Sequence, residues 1–251
     1  MFEKDIKEVE KILIDNLEAE KMKIPKCLYK YSTLDMIKLD TWLDEKIWFS
    51  RADCLNDPFD CTLLYCNDEE LKFDWSKDIV SNIQKTCLVY CMSKSPYNNL
   101  LWSYYTDNEG ICFEYEVKPN DNYYPVIYCP DKINFTAFLN QMALTPDSKE
   151  LEKLYELGNI GVHGKSDKWK HEEEVRIVIQ SSDFCVKENN RGIALPLQSH
   201  GLKVSKIILG AKFPLAEKTG IVKILKEKYN CPITIIKSKN NSFDLYDQQN
   251  C

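Results

Sequence analysis

The stretch Trp169-Lys-His-Glu-Glu-Glu-Val-Arg-Ile-Val-Ile179 places the tightest constraint on what this chain can fold into. Val175, Ile177 and Ile179 alternate with other positions, and the run is rich in β-branched residues, so it reads as a β-strand. Successive strand side chains point to opposite faces. Val175, Ile177 and Ile179 therefore share one face, the one expected in the core. Glu172, Glu174 and Arg176 share the other. Two carboxylates and a guanidinium held in a row form either a surface ladder of ion pairs or a polar site.

The chain has 251 residues, enough for one large domain or two small ones. With 44% hydrophobic and 29% charged residues it falls in the globular range. No apolar run approaches the roughly 18 residues of a transmembrane helix. The charged start, Met1 to Glu8, lacks the apolar centre of a signal peptide. A cytoplasmic protein without a membrane partner is expected. The net charge of −6 argues against a broad nucleic-acid or membrane footprint, although a nucleic-acid substrate could still be held locally. Eleven cysteines, an odd number, are scattered without a Cys-x-x-Cys pair, and His163, His171 and His200 stand apart. That pattern suits a reducing compartment and predicts no metal site, because structural zinc wants closely spaced ligand pairs.

Ile6, Val9, Ile12, Leu13 and Leu17 recur at helical spacing over residues 2–22, and Pro25 ends that helix. Short strands are predicted at Cys27–Tyr31 and Ile47–Ser50. A helix over Leu34–Asp44, capped by Ser32 or Thr33, lies between them. Asn56-Asp57-Pro58 marks a turn. A strand at Thr62–Cys66 and a helix over 68–85 follow, then an apolar strand at Thr86–Ser93, a helix at Asn98–Thr106 and strands at Ile111–Val117 and Val126–Cys129. Two helical segments, divided near Thr145-Pro146, span 131–160, and Gly161–Lys168 reads as a flexible connector. Strands at Ile193–Leu197, Val204–Leu209, Ile233–Ile236 and Phe243–Tyr246 surround a helix at Leu215–Tyr229. Helices and strands mix without strict alternation. The expected fold class is α+β, a single domain over 25–251 with a central mixed, mainly antiparallel sheet flanked by helices, preceded by a helical extension over 1–24. Eight glycines leave no Gly-rich nucleotide loop; Leu209-Gly-Ala-Lys212 lacks the rest of one.

Four segments could carry chemistry. In the first, one of Glu172 and Glu174 acts as a base or on a developing cation, while Arg176 fixes the other; Trp169 and His171 could frame it. In the second, Arg51 to Asp60, the residues Asp53, Asn56, Asp57 and Asp60 exceed what a turn needs, although a turn anchored in the core by Phe59 is the plain alternative. In the third, Trp102, Tyr104 and Tyr105 are either core or a stacking face for a planar ring. In the fourth, Tyr29 and Tyr31 point to one side of a strand and Lys30 to the other, so at least one polar tip needs a buried partner.

As an ordered set these segments resemble a bacterial family catalogued as a domain of unknown function and often noted near phage-defence genes. The resemblance rests on Leu28-Tyr-Lys-Tyr31, Trp48-Phe-Ser50 with Asn56-Asp-Pro-Phe-Asp60, Leu101-Trp-Ser-Tyr-Tyr105 with Gly110-Ile-Cys-Phe-Glu114, the Trp169, Glu172, Glu174, Arg176 spacing, and Ile207-Ile-Leu-Gly210. It covers about residues 28–210. The layout is also similar, at the level of fold, to ADP-ribosyltransferases. That likeness implies NAD as cofactor and a protein or nucleic-acid acceptor. It assigns a first motif at Lys30 or Tyr31, a second at Ser50 and a third at Glu172 or Glu174. Glu174 would act on the reacting carbon and Glu172 would position the acceptor or the ribose, with Tyr29, Asn56, Asp57, Asp60, Trp102 and Tyr105 around the ligand. No His-Tyr-Glu set can be placed, and Arg176 has no counterpart. The expected function is an NAD-dependent ADP-ribosyltransferase-like enzyme of phage defence or a toxin. The alternatives are a non-enzymatic sensor for a nucleotide or phage protein, and a nuclease holding Mg²⁺ through Asp53, Asp57, Asp60 and the glutamates.

Overall fold

The computed structural model describes residues 19–74, 78–118, 122–144, 160–181 and 190–249. Its strands are β1 (Cys27–Ser32), β2 (Lys46–Arg51), β3 (Leu64–Tyr65), β4 (Cys87–Ser93), β5 (Ile111–Val117), β6 (Tyr123–Pro125), β7 (Ile127–Cys129), β8 (Ile133–Asn134), β9 (Gly164–Ser166), β10 (Glu174–Gln180), β11 (Gly192–Pro196), β12 (Leu202–Leu209), β13 (Ile233–Ser238) and β14 (Leu245–Gln249). The helices are α1 (Met36–Leu43), α2 (Ile79–Thr86), α3 (Asn99–Thr106), α4 (Thr136–Leu144) and α5 (Leu215–Tyr229). Ten strands form one sheet along the path β11-β2-β4-β1-β5-β12-β13-β14, with β10 and β6 branching from β4. Every pairing in it is antiparallel except β12 with β13, so the α+β class with a mixed, mainly antiparallel sheet holds.

The branch at β4 decides where a ligand could sit. One edge of β4 is covered from end to end by β10, from Cys87 against Gln180 to Ser93 against Glu174. The other edge meets β2 only at Leu88 and Val89, and β1 only at Ser93. Tyr90, Cys91 and Met92 thus face a split between β1 and β2. Lys30 crosses it, donating from Nζ to the Cys91 carbonyl at 2.8 Å.

Apolar packing covers both faces. Leu28, Phe113, Tyr115, Val175, Ile177, Ile207 and Leu209 pack with Leu39 and Trp42 of α1 and Leu225 of α5. On the opposite face Tyr31, Trp102, Cys112, Ile208 and Ile236 pack together. Asn98 caps α3 by accepting from the Leu100 and Leu101 amides. Trp102 meets Tyr31 edge-on at 5.1 Å and donates from Nε1 to the Pro96 carbonyl at 2.8 Å. These contacts hold α3 against β1.

Several sequence expectations change. The late strand begins at Glu174, because Asp167–Glu172 is a 3₁₀ helix and Glu173 takes a left-handed conformation at φ 47. Its core face, with Val175, Ile177 and Ile179, is as expected, but the polar face is buried too. The connector at Gly161–Lys168 contains β9, which pairs in parallel with β7. Asp35, not Ser32 or Thr33, caps α1 by accepting from the Lys38 amide, since β1 runs on through Ser32. Among the described residues of 68–85 the α-helix runs from Ile79 onward. The helical extension lies outside the described residues up to residue 18, and so does the second helical segment beyond residue 144. Among the described residues no helix is long and apolar enough to cross a membrane.

Gly110 sits where β5 leaves α3. A Cβ there would stand 2.3 Å from the Ser32 carbonyl oxygen and 2.9 Å from Thr106 Cβ. Gly110→Ala should therefore cost about 1–3 kcal/mol, read as a lower urea midpoint at unchanged slope. An unchanged midpoint would mean that β1 and α3 can separate without penalty.

Candidate functional site

The site is built where the 3₁₀ helix turns into β10. Three consecutive carbonyls are held there. Asn98 Nδ2 donates to the His171 carbonyl at 2.5 Å, Ser93 Oγ to that of Glu172 at 2.8 Å, and the Lys94 amide to that of Glu173 at 3.1 Å. The Glu174 amide then donates to Tyr128 Oη at 2.9 Å. A left-handed non-glycine residue costs of order 1 kcal/mol or more and persists only where its surroundings fix it. This set of bonds supplies that fixation at Glu173 and aims the side chains of Glu172 and Glu174.

Both carboxylates converge on a buried cation absent from the sequence reading, Lys165 of β9. Its Nζ lies 2.5 Å from Glu172 Oε2, 3.0 Å from Glu174 Oε2 and 3.2 Å from Asp60 Oδ2. Arg176, with no exposed surface, lies beneath. It donates from Nε to Glu174 Oε1 at 2.7 Å, and from Nη2 to Asp60 Oδ1 and Oδ2 at 2.7 and 2.9 Å. Its Nη1 reaches the Val162 carbonyl at 2.6 Å and Cys61 Sγ at 3.1 Å. Tyr105 donates to Glu172 Oε1 at 2.8 Å.

The cluster holds three carboxylates (Asp60, Glu172, Glu174) and two cations (Lys165, Arg176), so full ionisation leaves one surplus negative charge, 2 − 3 = −1. The surplus falls on Glu172. Burial disfavours its charge, and repulsion from Glu174 adds to that against Lys165, so its carboxyl is raised above the ordinary value. Burial works on Glu174 as well, but Arg176 and Lys165 outweigh it and hold that carboxyl well below its ordinary value. For Lys165 the burial penalty is outweighed by Glu174, Asp60 and Glu172, so the ammonium stays charged.

Above the cluster opens a pocket of about 120 Å³, lined by Tyr29, Lys30 and Tyr31 of β1, Asn56 and Asp60 of the turn segment, Tyr105, Lys165, Glu172 and Glu174, with Leu55, Cys91, Met92, Ser93 and Leu101. A dry cavity near 150 Å³ holds a benzene ring, so this one suits a single ring or a pentose. Trp169 lies with its ring 5.2 Å from Lys165 Nζ. It forms a loose trio with Tyr104 and His171, at 6.3 Å and 5.9 Å between ring centroids.

Of the residues singled out from the sequence, Tyr29, Lys30, Tyr31, Asn56, Asp60, Tyr105, Glu172 and Glu174 meet at the pocket, with Arg176 behind its wall. Three do not line it. Ser50 sits on β2 opposite Val89 and Gly192, Asp57 accepts from the Phe59 amide at 2.8 Å within its turn, and Trp102 is buried beneath Tyr31. Phe59, expected to anchor the turn in the core, is 72% exposed. Asp53 pairs with Arg51 at 2.6 Å. Lys165 was missed because its Gly-flanked segment has no periodic pattern. The available signal was electrostatic: three carboxylates gathered on Arg176 alone would need a second cation.

This is the architecture of an α+β protein with a pocket over a buried charge cluster, set in a split sheet. A family model described as a protein of unknown function, DUF2971, matches residues 101–177. The chain is similar to that family over α3, β5 to β9 and the first half of β10, a stretch containing Tyr105, Lys165, Glu172, Glu174 and Arg176 but neither Asp60 nor β1. No curated protein and no solved structure matches the chain.

Removing Arg176 leaves Asp60 and Glu174 to share Lys165 with Glu172. Arg176→Met should cost about 3–5 kcal/mol in denaturant unfolding, as for any buried pair broken from one side, and a cost under 1 kcal/mol would contradict the burial of the cluster. Glu172 behaves differently. Its raised carboxyl contributes stability that is full below the ordinary carboxylate range and is lost as pH climbs through its raised value, whereas that of Glu174 is lost as pH falls. Glu172→Gln cannot ionise. Its melting temperature should gain on the wild type as pH rises from about 4 to about 7. A constant difference across that range would show that the fold does not raise the Glu172 carboxyl.

Proposed function

We propose that this chain is an ADP-ribosyltransferase-like enzyme that uses NAD, acting in defence against phage or as a toxin. The observation that carries the reading is Glu172, the surplus carboxylate of a buried charge cluster on the wall of an open, ring-sized pocket, hydrogen-bonded by Tyr105 and Lys165. The nicotinamide ring of NAD is a cation. A pocket walled by one carboxylate more than the cluster has cations favours it. When the C1′–N bond breaks, the ring nitrogen keeps the electron pair and nicotinamide leaves neutral. The positive charge passes to the ribosyl group beside the carboxylate, which stabilises it. An acceptor hydroxyl or amine then attacks C1′ and gives its proton to that carboxylate.

The roles proposed for the two glutamates are the reverse of those expected from the sequence. Glu174 is held by Arg176 and Lys165 and positions the cluster, while Glu172 has the lighter set of partners and acts on the ribosyl carbon. Tyr104, Trp169 and His171 offer stacking faces beside Lys165 for a further planar ring.

One observation favours a second reading, a sensor that binds a nucleotide without turnover: the charges of the cluster satisfy one another almost completely without a ligand. The nuclease reading loses support. Asp60, Glu172 and Glu174 meet at the Lys165 ammonium, where a metal ion would have to sit, and among the described residues no group of three metal-ligating side chains is present.

Purified protein incubated with NAD and cell lysate should release nicotinamide. Glu172→Gln should lower that rate by about 10²–10⁴-fold while the chain stays folded. Thermal stabilisation by NAD with no nicotinamide released, in lysate or without it, would establish the sensor instead.

A further inference from the structure

Three consecutive side chains at the entry to α3 join three parts of the fold. Tyr97 Oη donates to Asp247 Oδ1 of β14 at 2.6 Å. Asn98 Nδ2 donates to the His171 carbonyl at 2.5 Å, while its Oδ1 accepts from the Leu100 and Leu101 amides at 3.0 and 3.3 Å. Asn99 Nδ2 donates to the Phe243 carbonyl, just before β14, at 3.1 Å. Tyr97 and Asn99 thus grip the C-terminal strand, and Asn98 between them grips the turn that carries Glu172. Along the sheet β14 lies four strands from β1, the pocket's wall. Asp247 is itself fixed. Only 12% of its side-chain surface is exposed, and its Oδ2 lies 3.3 Å from Lys206 Nζ. Lys206 in turn meets Glu114 Oε2 at 3.2 Å. The Asp247 carboxylate pushes the Tyr97 hydroxyl up to about 12, so the hydroxyl remains a donor at neutral pH. An O–H bonded to a carboxylate at this length is one of the stronger hydrogen bonds of a folded chain.

We infer that Tyr97 and Asp247 are positioning residues for Glu172, acting through Asn98: the C-terminal strand clamps the entry to α3, and that entry sets both partners of the Tyr105–Glu172 hydrogen bond. Asn98 caps the helix that carries Tyr105, and its amide holds the peptide that precedes Glu172. One residue therefore governs both ends of a 2.8 Å contact on the pocket wall. Release of the Tyr97–Asp247 bond frees the entry segment, and the turn through Glu172 and Glu173 loosens with it. The clamp goes beyond the NAD reading and holds for any ligand of the pocket.

Amide hydrogen exchange of the full chain, followed residue by residue by NMR, tests it. The reporters are the Lys94 amide, bonded to the Glu173 carbonyl, and the Glu174 amide, bonded to Tyr128 Oη. Tyr97→Phe removes one hydroxyl and should speed exchange at both by about three- to tenfold, with the amides of β5 and β12 unchanged. Asp247→Ala should match it. Asp247→Asn keeps an oxygen for Tyr97 and should retain most of the protection. The separation in melting temperature between Glu172→Gln and its parent should also vary less with pH in the Tyr97→Phe background, because a loosened turn lets water reach the carboxyl. Faster exchange confined to β14, with Lys94 and Glu174 at their wild-type rates, would overturn the inference, since Tyr97 would then hold the strand alone. So would equal acceleration across β5, β10 and β12, which reports general loss of stability, or an undiminished pH dependence. Nicotinamide release is a separate readout. Loosening at Glu174 in Tyr97→Phe, with no release by the wild type, would sink the transferase reading and leave the clamp standing. Release unaffected by Tyr97→Phe, with Glu174 still protected, would do the opposite.

Discussion

The arginine at the base of the pocket holds the rest of the site in place. Arg176 is buried completely, and an ion taken out of water costs several kcal/mol even after relaxation. That cost is offset only when its donors are met, and they are met by Glu174 on its own strand, Asp60 at the end of the turn segment and the Val162 carbonyl before β9. Three pieces of chain are thereby fixed at one point, Asp60 lying 116 residues from Arg176 and Val162 lying 14. The second cation, Lys165, follows from the first, because the carboxylates that satisfy Arg176 would otherwise repel one another. Such a cluster is weak evidence for stability, since apolar residues could fill the same volume more cheaply. Its retention at the edge of an open pocket points to use.

Backbone geometry supports the same conclusion. The sheet splits beside β4, and the chain enters β10 through a left-handed residue whose neighbours are pinned by Asn98, Ser93 and Lys94. Both features depart from regular pairing, and both are found at the pocket. A continuous sheet would have closed the route of Lys30. An extended Glu173 would have carried the strand straight through Glu172.

Much of this was legible in the sequence, and the limits are physical. Period-two alternation located β10, β4 and β5 because one face of each packs in an apolar core, and α5 was bounded by its own pattern. The shared side of Glu174 and Arg176 was legible for the same reason, whereas Glu172 joins them through the left-handed turn at Glu173 and not through strand alternation. Burial of that side was not, since alternation reports which residues share a face and not what covers it; the cover comes from Asp60, Val162 and Lys165, brought in by long-range pairing. Ser50 and Trp102 look like site residues by type and spacing, yet strand register and ring packing commit them elsewhere. Phe59 shows the converse error: a large apolar residue beside a polar turn need not point inward.

Because Arg176 draws its partners from the turn before β3, the segment before β9 and β10 itself, and because Lys30 comes from β1, no short contiguous fragment of the chain contains the pocket. The stretch from residue 101 to 177 that matches the family carries the glutamates and both buried cations, but lacks Asp60 and the β1 wall. Glu174 lies 2 residues from Arg176 and 9 from Lys165, but Asp60 lies 116 from Arg176, so completing the cluster requires closing a long loop. The pocket therefore depends on tertiary contacts that bring β9, with Lys165, against β1, the turn segment and β10. A nascent or partly unfolded chain would lack the pocket, whose walls meet only in the completed tertiary fold.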